Sequence, residues 1–423
     1  MWEIALVLFL FLFFYPYLIY PGLLYVAARL PHKPPHKKDR PPDESGACPP
    51  VAMVICALNE ERVIGQKVEN CLALQYPGKK LRIIVVSDGS TDRTAEVVRQ
   101  YLNTTSLLFE GQPLLNSRGS VTSALSRDLD GADAQSLAMP CFASGIELIE
   151  QNQRRGKIAN LNQVLPRLKE EIVVLSDANV MYRPDAVMKL VARFQDPSVG
   201  CVSGKVILTD STPELDSPTG QYYSLEWFLQ ERSSAIHSMV GADGAMYALR
   251  RDLFRFCPAD TIIEDFVIPM GIIRQGQRVV YESAAVGWEK GPATMREEFR
   301  RKVRIAAGVA QGLIRGNAWP PVDAPLRFWF IFVSHKLLRW ISPLAGLGIL
   351  CCALFAMHQP AAQMVLAAMG TVVGLALVQL LTRWGNPVVS APFYFLFGQV
   401  ALGWGLLKGF MGQQTVLWAK ENR

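Results

Sequence analysis

The chain has 423 residues, of which 50% are hydrophobic and 19% are charged, and its net charge is +6. Only eight of its 80 charged residues lie outside Pro31–Lys336, and its mean hydropathy of +0.17 is too high for an ordinary soluble enzyme. The composition therefore excludes a disordered chain, a small disulfide scaffold and a wholly soluble enzyme. It indicates a charged middle between two apolar ends.

The N-terminal apolar segment, Ile4–Ala28, carries no charge over 25 residues. A transmembrane helix needs about 20 such residues, so this segment predicts a span. A cleaved signal peptide fits poorly, because no basic region precedes the apolar run. The basic, proline-rich linker at 31–49 is expected on the cytoplasmic side, where it can also contact anionic lipid.

One charge, Arg383, interrupts the C-terminal apolar stretch Trp340–Leu407. The connector His358–Pro360 has no Lys or Arg and is expected outside, whereas the loop around Arg383 is expected inside. The last segment contains Gln399 and Lys408, so a re-entrant or interfacial helix is an alternative there, and the side of the C-terminus depends on it. The lengths predict spans near Phe332–Met357, Ala361–Thr382 and Val388–Met411.

The eight cysteines form no CxxC pair and have no metal-ligand spacing with the five histidines. This pattern is typical of free thiols in a reducing cytosol. The basic residues concentrate beside the membrane, and no basic-aromatic array is present. Lipid or phosphate partners are therefore expected, and nucleic acid is not.

Apolar runs and helical segments alternate through the middle of the chain. Strands are expected at Val51–Ala57, Leu81–Ser87, Ile146–Gln151, Ile172–Leu175 and Val199–Leu208. This alternation predicts an α/β fold with a mostly parallel sheet, whose ligands bind at the carboxyl ends of the strands. Asn103–Ser144 breaks the rhythm and is either a floppy insertion or an active-site flap.

Acidic residues follow several of these runs. Any one of Asp88, Asp177 and Asp265 alone is explained as a helix cap or turn residue. Together they suit Mg²⁺ or Mn²⁺ bridging a diphosphate. The Glu264–Asp265 pair can supply a general base, and Lys157 stands at a helix N-terminus, where a phosphate binds.

Met295–Arg315 has apolar residues at a spacing of three or four and is expected to be an amphipathic helix. Arg301 and Arg304 share one face of it. Two interpretations stay open, and they are compatible: the helix lies on anionic lipid, or the arginines clamp a diphosphate leaving group.

Seven short motifs follow one another along the middle of the chain. They are Asn59–Glu61, Val86–Asp92, Gly156–Lys157 with Asn160 and Asn162, Asp177–Asn179, Gly241–Gly244, Ile263–Asp265 and Arg301–Ile305. With these motifs in order and spans on both sides of them, the chain from about residue 15 to 423, apart from the insertion, resembles a membrane-embedded family 2 glycosyltransferase with a GT-A fold. In layout it is similar to the synthases of cellulose, hyaluronan and poly-N-acetylglucosamine.

The resemblance implies a role for each matching position. Asp265 would be the base of an inverting transfer and Asp177 the ligand of Mg²⁺ or Mn²⁺. The catalytic set would also include Glu264, Arg301 and Arg304. The UDP-sugar would be bound by Asn59, Glu60, Asp88, Asp92, Lys157 and Asn179, and the acceptor by Gly241, Asp243, Gly244 and Trp418.

Two positions depart from the family pattern. Asn179 stands where the metal motif has a second Asp, so its contribution is neutral or mediated by water. Ile305 stands where processive enzymes have a Trp that places the acceptor sugar, which weakens the case for processive synthesis.

The expected enzyme sits in the inner membrane of a bacterium, with its catalytic domain in the cytoplasm. Transfer to a growing exopolysaccharide is the leading hypothesis; alternatives are a single transfer to a lipid-linked acceptor, and a non-catalytic subunit of a polysaccharide assembly system.

The expected divisions are an N-terminal helix at 1–30, the linker 31–49, a GT-A domain at 50–290 with an insertion at 103–144, an interface region at 291–325, further apolar helices at 326–412 and a tail at 413–423.

Overall fold

A computed structural model describes residues 2–29, 48–77, 80–109, 145–209, 218–292, 294–382 and 386–415. Within these ranges the strands are β1 Val51–Ala57, β2 Leu81–Asp88, β3 Gly145–Gln151, β4 Ile172–Asp177, β5 Met181–Tyr182, β6 Val199–Thr209, β7 Met246–Arg250 and β8 Arg278–Lys290. The helices are α1 Trp2–Ala27, α2 Ile64–Leu72, α3 Thr94–Phe109, α4 Lys157–Val164, α5 Ala186–Ala192, α6 Pro218–Ile236, α7 Glu264–Ile273, α8 Met295–Ile314, α9 Leu326–Phe355, α10 Pro360–Thr382 and α11 Pro387–Phe410.

The strands form one mixed sheet in the order β3-β2-β1-β4-β7-β6-β8-β5. The first four are parallel, β7 is antiparallel to both β4 and β6, and β8 is parallel to β6. The predicted α/β fold with a mostly parallel sheet is confirmed. Because β1, β2 and β4 are parallel, Asp88 and Asp177 end at the same edge, where Cys56 of β1 pairs with Asp177.

The structure differs from the prediction at α2, α3 and β8, and the short strand β5 was not predicted either. The helix expected at Asn59 starts only at Ile64, because Asn59 has a positive φ of 56° and turns the chain first. Helix α3 continues to Phe109, past the expected start of the insertion, since no Gly or Pro interrupts it. Residues 110–144 lie outside the described residues. Strand β8 was not predicted, because Gly287 and four charged residues obscure its alternation.

The sheet is buried on both faces, as parallel sheets are. Successive residues of β1 alternate, so that Met53 packs towards α2 and α5 while Val54 packs towards α4 and α7. The core on the side of α4 and α7 also includes Tyr20 and Leu24 of α1, both fully buried, and Phe328 of α9. Burying one such Leu side chain contributes about 2 kcal/mol, so the apolar helices and the sheet domain stabilise one another.

Four helices, α1, α9, α10 and α11, are long and apolar enough to cross a membrane, which indicates an integral membrane protein. Their positions agree with the predicted segments, although α9 starts six residues before the expected Phe332. Helices α1 and α9 each contain a π-helical stretch, Tyr15–Ile19 and Phe332–Leu337. The two stretches meet, because the hydroxyls of Tyr15 and Ser334 lie 3.0 Å apart.

Helix α11 runs along the amphipathic helix α8. The rings of Phe299 and Phe397 meet edge to face with centroids 5.5 Å apart. Further along, Gly405 and Gly409 lie directly on the backbone of α8, so that a Cβ at Gly405 would come within 2.5 Å of the Val303 carbonyl oxygen. Glycine therefore lets these two helices approach closely.

Candidate functional site

A cleft of about 390 Å³ opens at the carboxyl edge of the sheet. It is lined by the ends of β1, β2 and β4, the turn at 242–245, the first turn of α7 and the inner face of α8. The cleft therefore gathers residues from all seven sequence motifs. The strand order places the residues at the ends of β1, β2 and β4 there, and the packing of α8 on α11 adds its arginines.

Asp88 fixes the entry to helix α4. Its carboxylate accepts hydrogen bonds from the backbone N–H groups of Arg155 (2.7 Å) and Gly156 (2.8 Å). Gly89 has a φ of +66°, and a Cβ there would lie 2.5 Å from the nitrogen of Arg154. Only glycine fits this turn, which brings the β2 end and the start of α4 together along the cleft.

Lys157, the first residue of α4, ties three parts of the site together. Its ammonium lies 2.8 Å from the Asp177 carboxylate and 2.6 Å from that of Glu264, and it donates to the carbonyl of Gly244 at 3.3 Å. Burial alone would lower the pKa of Lys157, but Asp177 and Glu264 raise it well above its ordinary value. Lys157 is therefore a fixed positive charge in the cleft.

Asp265 stands at the start of α7 and faces the turn at 241–244. Its backbone carbonyl accepts a hydrogen bond from Ala242 N at 2.8 Å. A Cβ at Gly244 would lie 2.8 Å from Asp265 Oδ2, so glycine is needed beneath this carboxylate. Burial, and then the charge of Glu264, raise the pKa of Asp265 to about 7.

Asp243, in the same turn, is a second carboxylate with a raised pKa. Its Oδ1 accepts a hydrogen bond from Ala245 N (3.1 Å), and its own N–H donates to Ser203 Oγ (2.9 Å). Burial raises the pKa of Asp243 to about 6. Gly241, the first residue of this turn, has a φ of +82° and packs against Phe266.

The arginines of α8 line the cleft. Thr294 caps the helix by accepting from Glu297 N at 3.2 Å, which fixes its first turn. Arg301 donates to the hydroxyl of Tyr223 at 3.4 Å, and Arg304 donates to the carbonyl of Ile262 at 3.5 Å. Ile305 lies beside them and is 42% exposed.

Several cleft residues were not predicted. Glu289 of β8 is 6% exposed, lines the cleft and accepts a hydrogen bond from the Asn179 amide at 3.0 Å. In the sequence, Glu289 is an acidic residue that follows an apolar run, a pattern that could have indicated it. It lies in β8, the strand that was not predicted. Arg154, Gln230 and Thr261 line the cleft as well.

Lys67, another residue that was not predicted, lies behind Asp177–Asn179. It is fully buried on α2, and its ammonium donates to Ser176 Oγ (2.8 Å) and to the carbonyl of Val180 (2.5 Å). These two acceptors flank Asp177–Asn179. Lys67 therefore holds both ends of that segment from inside the domain.

Of the predicted residues, Asn59, Asp92 and Gly241 are not among those that line the cleft, and Trp418 cannot be placed. Asn59 accepts from Thr91 N (2.7 Å), and Asp92 accepts from Glu61 N (3.2 Å) and Thr94 N (3.0 Å), so both side chains hold the loops that flank the cleft. Trp418 lies outside the described residues. The other predicted residues, apart from Gly241 at its edge, line the cleft: Glu60, Asp88, Lys157, Asp177, Asn179, Asp243, Gly244, Glu264, Asp265, Arg301 and Arg304.

The cleft fits a divalent cation that is shared with a diphosphate. Its described lining has seven carboxylates and four cationic side chains, and the Asp177 side chain is 39% exposed. In the part of the chain that is described, no three His, Cys, Asp or Glu side chains are grouped to hold a metal by themselves. Mg²⁺ and Mn²⁺ need only one or two protein carboxylates when substrate phosphates supply the other ligands.

Comparisons with known proteins agree with this geometry. Residues 52–112 match the family described as glycosyl transferase family 2, and residues 121–308 match glycosyltransferase like family 2. The poly-β-1,6-N-acetyl-D-glucosamine synthase of Staphylococcus aureus (strain COL) is 23% identical over 271 residues, which are 63% of this chain and 56% of that protein. The synthase of the same name from Staphylococcus epidermidis is 20% identical over 298 residues, 69% of this chain and 62% of that protein.

Each of these matches spans less than two thirds of the curated relative. Among solved structures, the mannosyltransferase PcManGT from Pyrobaculum calidifontis, in complex with GDP-Man and Mn²⁺, superposes with a TM-score of 0.71 at 20% identity. The alignment covers 98% of this chain and 100% of that chain, so the likeness confirms a GT-A-like fold with apolar helices at both ends. The chain is a family 2 glycosyltransferase, distantly related to poly-β-1,6-N-acetylglucosamine synthases.

Proposed function

We propose that the protein transfers a sugar from a UDP-sugar to a growing exopolysaccharide chain, with inversion at the anomeric carbon. One observation carries the proposal: Asp265 lies in one cleft with Lys157, Arg301 and Arg304. A carboxylate whose pKa is about 7 suits a general base, and the cations suit a diphosphate leaving group.

The transfer is a single displacement. The Asp265 carboxylate takes the proton of the acceptor hydroxyl, and the hydroxyl oxygen forms a bond to the anomeric carbon. The bond between that carbon and the diphosphate oxygen breaks, and its electron pair leaves with the nucleoside diphosphate. Lys157, Arg301 and Arg304 stabilise the negative charge that develops on the leaving group.

Donor binding is assigned to the carboxyl ends of β1, β2 and β4. Glu60 and Asp88 line this part of the cleft, while Asn59 and Asp92 hold its loops in shape. Asp177 would hold Mg²⁺ or Mn²⁺ together with the diphosphate, and Asn179 lies beside it. When bound, the cation neutralises phosphate charge and so favours departure of the nucleotide.

The acceptor is assigned to the opposite wall, which includes Gly241, Asp243 and Gly244. The distant relatives are polysaccharide synthases, which supports a polymer as the acceptor. A second candidate is a single transfer to a lipid-linked acceptor, because the exposed Ile305 cannot stack on a sugar ring as an aromatic side chain does. A non-catalytic subunit is less well supported, because the base and the cations meet in one cleft.

For the membrane part we propose that α1, α9 and α10 span, with the catalytic domain in the cytoplasm, as the basic linker suggests. Helix α11 would instead lie in the cytoplasmic interface, because it packs lengthwise on α8. Residues 50–290 and 291–325 would then form a catalytic domain and an interface region. An inner-membrane location, anionic lipid contacts and other subunits of an assembly system belong to the same proposal.

The test is nucleotide release by the full chain in detergent, across a panel of UDP-sugars and with Mg²⁺ or Mn²⁺. GDP-mannose belongs in the panel, because the Pyrobaculum mannosyltransferase was solved with GDP-Man. Mass analysis of the product separates the two candidates: a ladder of polymer supports the first, and a single-sugar adduct the second. No turnover with any donor would contradict both.

A further inference from the structure

A buried ion cluster joins the sheet domain to the start of α9. Glu226, on α6, lies 3.0 Å from the ammonium of Lys336, 2.7 Å from the guanidinium of Arg339 and 3.1 Å from His335 Nε2. Only 14% of the Glu226 side chain is exposed. Burial alone would raise the pKa of Glu226, but Lys336, His335 and Arg339 hold it well below its usual range, so the carboxylate is charged.

The helix geometry of α9 makes this cluster possible. His335 and Lys336 are adjacent in sequence and would point about 100° apart on a regular α-helix. They lie instead in the π-helical stretch Phe332–Leu337, which widens the turn. Both of them, and Arg339 one turn later, reach the same carboxylate. Single π-helical turns inside α-helices are frequent at functional sites.

The same face of α6 reaches the catalytic cleft. Tyr223 stands three residues before Glu226 and Gln230 four residues after it, so the three side chains lie in one row. Tyr223 accepts the hydrogen bond of Arg301, and Gln230 lines the cleft. One helix face therefore contacts both the start of α9 and Arg301, which lines the cleft.

We infer that Glu226 is a positioning residue for transfer: by fixing α6 on the start of α9, it holds Tyr223 and, through it, Arg301 in the cleft. The inference rests on the proposed function and names residues outside the motifs. Glu226 does not touch the cleft, and its three partners all come from one turn and a half of α9. A displacement of about 1 Å at a group that stabilises the leaving group can lower a rate a hundredfold.

The test compares Glu226→Gln with Glu231→Gln in the full chain in detergent. Glu231 is an exposed glutamate on the same helix and serves as the matched control. We expect Glu226→Gln to lower kcat by about ten- to a hundredfold and to change the donor KM less than about twofold, since donor binding rests on other elements. Wild-type kcat in Glu226→Gln, or a rise in KM that accounts for the whole loss, would overturn the inference.

Tyr223→Phe tests the link from its other end and removes only a hydroxyl. It is expected to lower kcat about tenfold, the effect of one hydrogen bond to a charged group. If the effect passes through Tyr223, the double variant loses no more activity than the stronger single variant. Losses that multiply in the double variant would show independent roles and overturn the inference. If Glu226→Gln fails to fold, an unchanged kcat in Tyr223→Phe overturns it.

Hydrogen exchange separates this inference from the proposed function. Glu226→Gln is expected to speed amide exchange at 218–236 and in the first turns of α8, while exchange in β1 and β2 is unchanged and Glu231→Gln matches wild type. Unaltered exchange of Glu226→Gln in α8 contradicts the inference whether or not the protein turns over a donor. If the wild type turns over no donor while Glu226→Gln still exchanges faster than the wild type in α8, only the proposed function is contradicted.

Discussion

At the residue scale, the chemistry of the site depends on two adjacent acids at the start of α7 that have different surroundings. Glu264 is paired with Lys157 at 2.6 Å, whereas Asp265 lies over Gly244 with its pKa raised to about 7. The neighbours therefore divide the roles: one acid fixes the lysine, and the other is left able to take up a proton near neutral pH.

Asp265→Asn should abolish the general base while keeping the size of the side chain. We expect transfer to fall by about a hundredfold or more, as for the loss of a positioned base. Nucleotide release measures the loss, and calorimetry with UDP and Mn²⁺ should give wild-type affinity, which is the control. A variant with wild-type turnover would remove Asp265 from the mechanism.

The pH dependence of kcat tests the same environment. Because Asp265 must be deprotonated to accept a proton, kcat should rise with pH through about 7 in the wild type. Glu264→Gln removes the neighbouring negative charge that raises the pKa of Asp265, so the acidic limb should move to lower pH. A limb that stays in place or moves to higher pH would contradict this electrostatic account.

At the element scale, α8 belongs to the cleft on one side and to the apolar helices on the other. Its arginines line the cleft, while Val303, Ala306 and Ala307 contact Gly405 and Gly409 of α11. Small residues on both helices allow the close approach. The position of the arginines therefore depends on the packing of a distant helix, whose Gly405 and Gly409 follow their contacts Val303 and Ala307 by 102 residues.

Gly405→Leu should push α8 away from α11, because even a Cβ at Gly405 would lie 2.5 Å from the Val303 carbonyl oxygen. Overpacking of this kind costs about 1–3 kcal/mol of stability, and we expect a lower melting temperature and a lower kcat. Gly398→Leu is the control, since no atom lies within 4 Å of a Cβ at Gly398. Equal effects of the two variants would show that the contact does not matter.

At the scale of the whole molecule, the apolar helices and the sheet domain share one core. Tyr20 and Leu24 of α1 and Phe328 of α9 are buried together with residues of α7 and α8. The ion cluster around Glu226 reinforces the same junction. A domain that was only tethered to a membrane anchor would lack these contacts. The apolar helices are therefore a structural component of the catalytic unit.

The orientation of this unit can be tested by labelling. His358→Cys, between α9 and α10, should react with a membrane-impermeant maleimide in intact spheroplasts. Gln413→Cys, just after α11, should react only after lysis, because α11 is proposed to lie at the cytoplasmic interface. Both variants are made in a chain without its native cysteines. Labelling of Gln413→Cys in intact spheroplasts would instead make α11 a fourth span.

The sequence by itself determined the apolar ends, the alternation of strands and helices, and the motifs that meet in the cleft, because these are written in local composition and short-range periodicity. It could not predict that Glu289 contacts Asn179, that Tyr223 holds Arg301, or that Glu226 joins α6 to α9. These pairs are separated by 110, 78 and 109 to 113 residues. Only the tertiary structure decides them, since partners so far apart are chosen by packing and charge in the folded chain.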